Sequence, residues 1–168
     1  MKKFCMVALL LVLFGASLYG EKIPINNGAG FDGEFYRSVA QNFSADFWDS
    51  GYDAFRIQRL FPFLFVHYVF KILGVSATDE NLMSAMFGLH LFNLLLQIAL
   101  FFAISKILRW QPATEMVLFA VLFLNFFTLK NCGYEPFQTD AFAITLSLLG
   151  VYFYLKNKVL CNGIVAIL

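Results

Sequence analysis

The first candidate for chemistry is Asp32, in the stretch Gly30-Phe31-Asp32-Gly33-Glu34-Phe35-Tyr36-Arg37. It stands where the turn signal Asn26-Asn27-Gly28-Ala29-Gly30 gives way to an amphipathic run. A carboxylate in that position can cap the helix by accepting from the amides of its first turn, where negative charge also suits the helix end. It can equally act as a general base toward a hydroxyl brought to the water–lipid boundary. Arg56 and Arg59, three residues apart, share a face if their segment is helical. Placed just before the apolar run that begins at Leu60, their guanidinium groups suit bidentate phosphate binding, or simple anchoring of the helix to anionic lipid. Glu135 and Asp140 add a second acidic pair in Tyr134-Glu135-Pro136-Phe137-Gln138-Thr139-Asp140. Asp140 falls in a first helical turn that Thr139 could cap. Together with Asp32 the two carboxylates could also complete an acid/base pocket or one for a divalent cation; no other cofactor is expected.

Positioning these residues requires elements that the composition already constrains. Of 168 residues, 60% are hydrophobic and 14% charged, with 22 phenylalanines, and mean hydropathy is +0.72. A soluble domain of this length has too little interior for that much apolar surface, so part of the solvent is expected to be lipid. A net charge of +1 offers no electrostatic footprint for nucleic acid. The three cysteines, Cys5, Cys132 and Cys161, are scattered without metal-ligand spacing or a disulfide framework.

The expected fold class is all-α, a polytopic transmembrane helical bundle with interfacial amphipathic helices in its first outer loop. Residues 1–20 form a membrane anchor or signal peptide: Lys2 and Lys3 precede the apolar run Phe4 to Tyr19. Leu18 and Tyr19 after the small residues Gly15, Ala16 and Ser17 make a poor cleavage region, which favours a retained anchor. Residues 21–81 form a polar outer loop. Within it Phe35, Val39 and Phe43 recur at helical spacing beside Tyr36 and Ala40, with Arg37, Ser38, Gln41 and Asn42 opposite, which predicts an amphipathic helix lying in the membrane interface. Residues 82–168 carry the transmembrane helices: Leu82 to Ile107, and the shorter runs Met116 to Leu129 and Ala141 to Leu155.

Charge sets the orientation. Lys106 with Arg109, and Lys156 with Lys158, mark two connections as cytoplasmic, whereas Gly74 to Asn81 is acidic. The count closes when Leu60 to Leu73, which carries Pro62, His67 and Lys71, does not cross. The polar loop, Gly74 to Asn81 and Asn131 to Thr139 then share the outer face. The final apolar run from Val159 is too short to span, so the chain is expected to be the N-terminal portion of a longer protein, or else a small protein with a short hydrophobic tail. His90, Asn93 and Gln97 make a polar stripe on the long span, expected to bond across helices to partners in the parent protein or complex. Read otherwise, the stripe lines a path in a transporter or flippase component. A non-catalytic membrane subunit is the other alternative.

The outer loop resembles that of a known family. Phe31-Asp32-Gly33-Glu34-Phe35-Tyr36-Arg37-Ser38-Val39-Ala40, then Tyr52, then Arg56-Ile57-Gln58-Arg59-Leu60-Phe61-Pro62-Phe63-Leu64, resembles the first outer loop of C-type (GT-C) polytopic membrane glycosyltransferases. In that family an Asp-x-x-x-Tyr element opens an amphipathic helix and an Arg-rich stretch enters a Pro-containing apolar helix. The resemblance covers Phe31 to Leu64; beyond it only the helix pattern is similar. It departs from the family in lacking two adjacent acidic residues, since Gly33 separates Asp32 from Glu34, and in its length, which is far short of a full enzyme. It implies transfer of a sugar from a polyprenyl-phosphate donor to an acceptor at the outer face of a bacterial inner membrane. Asp32 is then the catalytic base, and Tyr36, Arg37, Arg56 and Arg59 lie on the substrate side. Glu135 and Asp140 become secondary contacts for the acceptor or a cation. The implied partners are membrane lipid and the lipid-linked sugar.

Overall fold

The computed structural model describes residues 2–50, 59–158 and 165. Among these residues every regular element is helical, and the all-α expectation holds. In chain order the elements are α1 (Lys2–Leu18), a 3-10 turn (Ile25–Gly28), α2 (Gly33–Ser50), α3 (Phe61–Leu73) and α4 (Asp79–Leu108). There follow α5 (Pro112–Phe123), a π-helical turn (Phe127–Asn131), the single turn α6 (Cys132–Tyr134) and α7 (Asp140–Leu155).

The 30-residue α4 is the spine, about 45 Å long at 1.5 Å per residue. Thr78 caps it, its hydroxyl accepting from Asn81 N at 3.3 Å, and Asp79 and Glu80 occupy the first turn where negative charge is favoured. Lys106 complements the other end, where Arg109 takes a left-handed conformation (φ 52°) and stops the helix. Among the described residues α4 alone is a single helix long and apolar enough to cross a membrane. The bent pair of α5 with the Phe127–Tyr134 segment passes the same test if counted as one span. The other apolar helices are shorter.

Contacts along α4 fix the direction of its neighbours. Lys3 lies over the Phe102 ring at 4.9 Å and bonds Glu115, while the far end of α1 reaches α6, where a Cβ at Gly133 would collide with the Ser17 carbonyl. α1 therefore runs antiparallel to α4. α7 runs parallel to it, since Thr145 meets Asn93 and Gln97, and Leu148 and Val151 share a groove with Ile104 and Leu108. Two apolar cores result. One joins Leu10 and Phe14 of α1 to Leu94, Ile98, Phe101, Phe119 and Phe123. The other, nearer the start of α4, gathers Tyr36, Val39 and Ala40 of α2 with Leu60, Phe63, Val66, Leu82, Met86 and Phe137.

Two features differ from the sequence expectation. The amphipathic face of α2 is not laid bare for a membrane surface but covered by α3: Tyr36 stacks on Phe63 with ring centroids 4.5 Å apart, and His67 Nδ1 lies 3.0 Å from Ala40 O. Two apolar faces close in sequence bury each other, as either would bury itself in lipid. The run Met116 to Leu129 is not one straight helix either, but bends by 46° after Phe123. Asn125 donates to Leu122 O at 2.7 Å and accepts from Thr128 N at 3.0 Å, while Thr128 Oγ1 donates to Leu122 O at 3.1 Å. These side chains satisfy the backbone groups that the break releases, as a kink in apolar surroundings requires.

At the Arg109 end, Lys3 Nζ donates to Glu115 Oε2 at 2.8 Å, and the Ser105 hydroxyl donates to the same oxygen. The Glu115 side chain is 9% exposed and that of Lys3 62%. We predict that Glu115→Ala destabilises the protein by about 1–3 kcal/mol, because a largely buried junction of three helices loses its acceptor. Lys3→Ala, at the exposed side, should cost less than about 1 kcal/mol. Thermal unfolding in detergent compares the two directly.

Candidate functional site at the Asp79 end of the bundle

The turn before α2 is built for a sharp reversal. Asn26 and Asn27 both take left-handed conformations (φ 52° and 53°), which asparagine tolerates, and Asn26 Nδ2 donates to Gly30 O at 2.9 Å. Gly30 at φ 80° completes it. Tyr36 N then donates to Asp32 O at 3.3 Å, the first bond of α2, so Asp32 occupies the N-cap position with its side chain exposed. Both readings of its chemistry, cap and base, are compatible with that exposure.

The second acidic loop docks on this turn. A Cβ at Gly30 would collide with the Glu135 carboxylate, and one at Gly33 would approach Phe137 Cβ to 2.9 Å. Ile23 N donates to Tyr134 O at 2.9 Å on the same side. Glu135 is therefore held beside the backbone two residues from Asp32. Gln138 Nε2 donates to the Glu135 carboxylate, and Asn131 Nδ2 donates to Gln138 Oε1. This chain of side chains carries Glu135 on the base of the loop.

Asp140 lies in the first turn of α7, with Thr139 at the N-cap position. Phe142 N donates to the Thr139 carbonyl at 3.0 Å, and the Thr139 side chain makes no capping bond. Asp140 lines a groove of about 620 Å³ between α3, α4 and α7, together with Arg59, Thr139, Asn93 and Thr145. The remaining wall is apolar, with Phe61, Phe65, Phe92, Leu96, Leu146 and Leu149 among its residues. Arg59 thus lines a mostly apolar groove, and the Asp140 carboxylate lines the same groove.

The other predicted residues separate from this group. Arg37 donates to Glu34 at 2.5 Å and to Asp79 at 3.4 Å, and its side chain is 12% exposed. It ties α2 to the start of α4, helped by Gln41 Nε2, which donates to Asp79 Oδ1 at 3.0 Å. Tyr36 is buried at 2% exposure under Phe63, where it packs the second core. Arg56 lies outside the described residues. No group of three or more His, Cys, Asp or Glu gathers to hold a metal among the described residues.

The polar stripe on α4 explains how loop and groove are held in register. His90 Nε2 donates to Pro136 O at 2.7 Å, Gln97 Nε2 donates to Ala141 O at 2.8 Å and to Thr145 Oγ1 at 2.9 Å, and Thr145 Oγ1 donates to Asn93 Oδ1 at 2.8 Å. The spacing of the three α4 residues announces the stripe in the sequence. Thr145, buried between Asn93 and Gln97, carries no such signal, because a single threonine in an apolar helix is unremarkable. No family model, curated protein or solved structure matches the chain.

The contact between Gly30 and Glu135 can be measured as a coupling. We expect Gly30→Ala to destabilise by about 1–3 kcal/mol, from an L side chain at positive φ together with the collision. In a Glu135→Ala background the same change should cost less, because only the backbone strain remains. Equal costs in the two backgrounds, read by unfolding in detergent, would show that the two sites do not touch.

Proposed function

We propose that the chain is a module of a polytopic membrane protein that holds a polyprenyl-phosphate-linked sugar and assists transfer of the sugar to an acceptor hydroxyl. The observation that carries this reading is the groove that Arg59 and Asp140 line, with a wall that is otherwise mostly apolar. A guanidinium beside an apolar slot complements a phosphate carried on a long hydrocarbon. The resemblance of Phe31 to Leu64 to GT-C glycosyltransferases supports the same substrate class.

Membrane residence is part of the proposal. Phe4, Val12, Phe92, Val117, Val121 and Tyr154 are each more than half exposed on α1, α4, α5 and α7. That is far more apolar surface than a water-facing bundle tolerates. With α1, α4, the bent α5–α6 pair and α7 as crossings, Lys3, Lys106, Arg109, Lys156 and Lys158 fall at one end and the acidic loops at the other. The basic end is then cytoplasmic and the candidate site faces outward, in keeping with a bacterial inner membrane. The α4 stripe, which a transport path would need open, is bonded to α7 and to the loop.

In the proposed reaction the acceptor oxygen attacks C1 of the sugar while Asp32 takes its proton. The bond from C1 to the phosphate oxygen breaks, and polyprenyl phosphate leaves with the electron pair. Arg59 stabilises the charge that grows on that phosphate. Glu135, beside the Asp32 turn, orients the acceptor, and Asp140 contacts the sugar or a cation bound with it. Arg37 moves from the substrate role to the scaffold, because Glu34 and Asp79 already engage it.

The test is a transfer assay with protein expressed from the full reading frame. Asp32→Asn should lower kcat by about 10²-fold or more while donor binding stays within twofold. Unchanged turnover in Asp32→Asn would remove the assignment of the base.

A further inference from the structure

Beneath the loop that carries Glu135 lies a second, much smaller space. It measures about 20 Å³ and is lined by His90, Gln97, Thr128, Asn131, Gln138 and Asp140 together with apolar residues such as Phe14 and Leu94. His90 is 2% exposed. Its Nε2 faces the Pro136 carbonyl at 2.7 Å, and a carbonyl can only accept, so Nε2 carries the proton. In the neutral ring Nδ1 is then an acceptor. It is buried and has no hydrogen-bond partner among the described residues.

The neighbouring amides leave the same kind of demand. Gln97 Nε2 is committed to Ala141 O and Thr145 Oγ1, and Asn131 Nδ2 to Gln138 Oε1. Thr128 Oγ1 donates to Leu122 O. What these groups still present is acceptor capacity: the Nδ1 lone pair and the amide oxygens of Gln97 and Asn131. A species with two donors is needed, small enough for about 20 Å³.

We infer that this cavity is a binding site for one ordered water, which donates to His90 Nδ1 and to an amide oxygen of its wall. The volume exceeds the roughly 10–15 Å³ that a single water requires, and the polar partners number within the usual two to four. An unsolvated acceptor there would carry the full penalty of burial without a partner. A bare cation fits less well: the one carboxylate of the wall, Asp140, is itself exposed to solvent, and a single such group does not offset the desolvation of an ion in so small a space. The water completes the bonding of His90, and His90 in turn holds Pro136, next to Glu135. This inference stands independently of glycosyl transfer.

Nitrogen-15 spectroscopy of the ring tests it on the unaltered protein. The chain has two histidines, so histidine-labelled protein in lipid nanodiscs gives two ring systems, and His67→Gln or His90→Gln assigns them by subtraction. At pH 8, above the ordinary histidine range, His90 should be the Nε2–H tautomer. Its Nδ1 should show the shift of a hydrogen-bonded acceptor and receive magnetisation from water protons. An Nδ1–H tautomer, an Nδ1 without a hydrogen bond, or a bonded Nδ1 with no transfer from water would each overturn the assignment.

Discussion

The structure depends on one constraint: polar side chains on α4, surrounded by apolar helices, must find partners inside the protein. His90, Asn93 and Gln97 find them in Pro136 O, Thr145 Oγ1 and Ala141 O. Each bond is ordinary in strength. Leaving any one unmade in an apolar interior is costly, and that asymmetry gives the arrangement its definition. The bonds set α7 against α4 at one register and clamp the loop between α6 and α7 at its proline. A slip of α7 by one residue would strand Gln97 and Thr145 together.

The rest of the candidate site follows from that clamp. With Pro136 fixed, Phe137 reaches the core beneath Gly33, and Glu135 presses against Gly30. The absence of a side chain at both glycines is what lets the loop approach the turn that carries Asp32. With Ala141 fixed, Asp140 comes to the groove that Arg59 also lines. Two acidic positions more than a hundred residues from Asp32 in the chain are thus drawn to its end of the bundle by bonds made within the helices. Arg37 contributes differently. By engaging Asp79 and Glu34 it holds α2 and its attached α3 against the start of α4, which keeps Arg59 at the groove.

Much of this was legible in sequence because local rules govern it. The Asn-Asn-Gly turn marks a boundary where the structure has one, whereas α4 and α5 open at Asp79 and Pro112, three and four residues ahead of the apolar runs at Leu82 and Met116. The stripe on α4 was visible from spacing alone. What escaped depends on distant contacts. An apolar face reads the same whether lipid or another helix covers it, so the pairing of α2 with α3 left no trace. The bend after Phe123 had its signal in Asn125 and Thr128, polar residues inside an apolar run, but periodicity alone runs through them. The engagement of Arg37 needed a carboxylate 42 residues away, and the family resemblance suggested a ligand contact instead. The groove exists only once α3 and α7 lie on the same flank of α4.

Binding tests the proposed recognition of a phosphate on a hydrocarbon chain by the Arg59 groove. Protein from the full reading frame, held in nanodiscs of neutral lipid, would be titrated with a short polyprenyl phosphate and with the alcohol of the same chain length. At least a tenfold preference for the phosphate is expected, about 1.4 kcal/mol, which Arg59→Ala removes while alcohol binding is unchanged. Equal affinity for phosphate and alcohol, or a preference that survives Arg59→Ala, would contradict it.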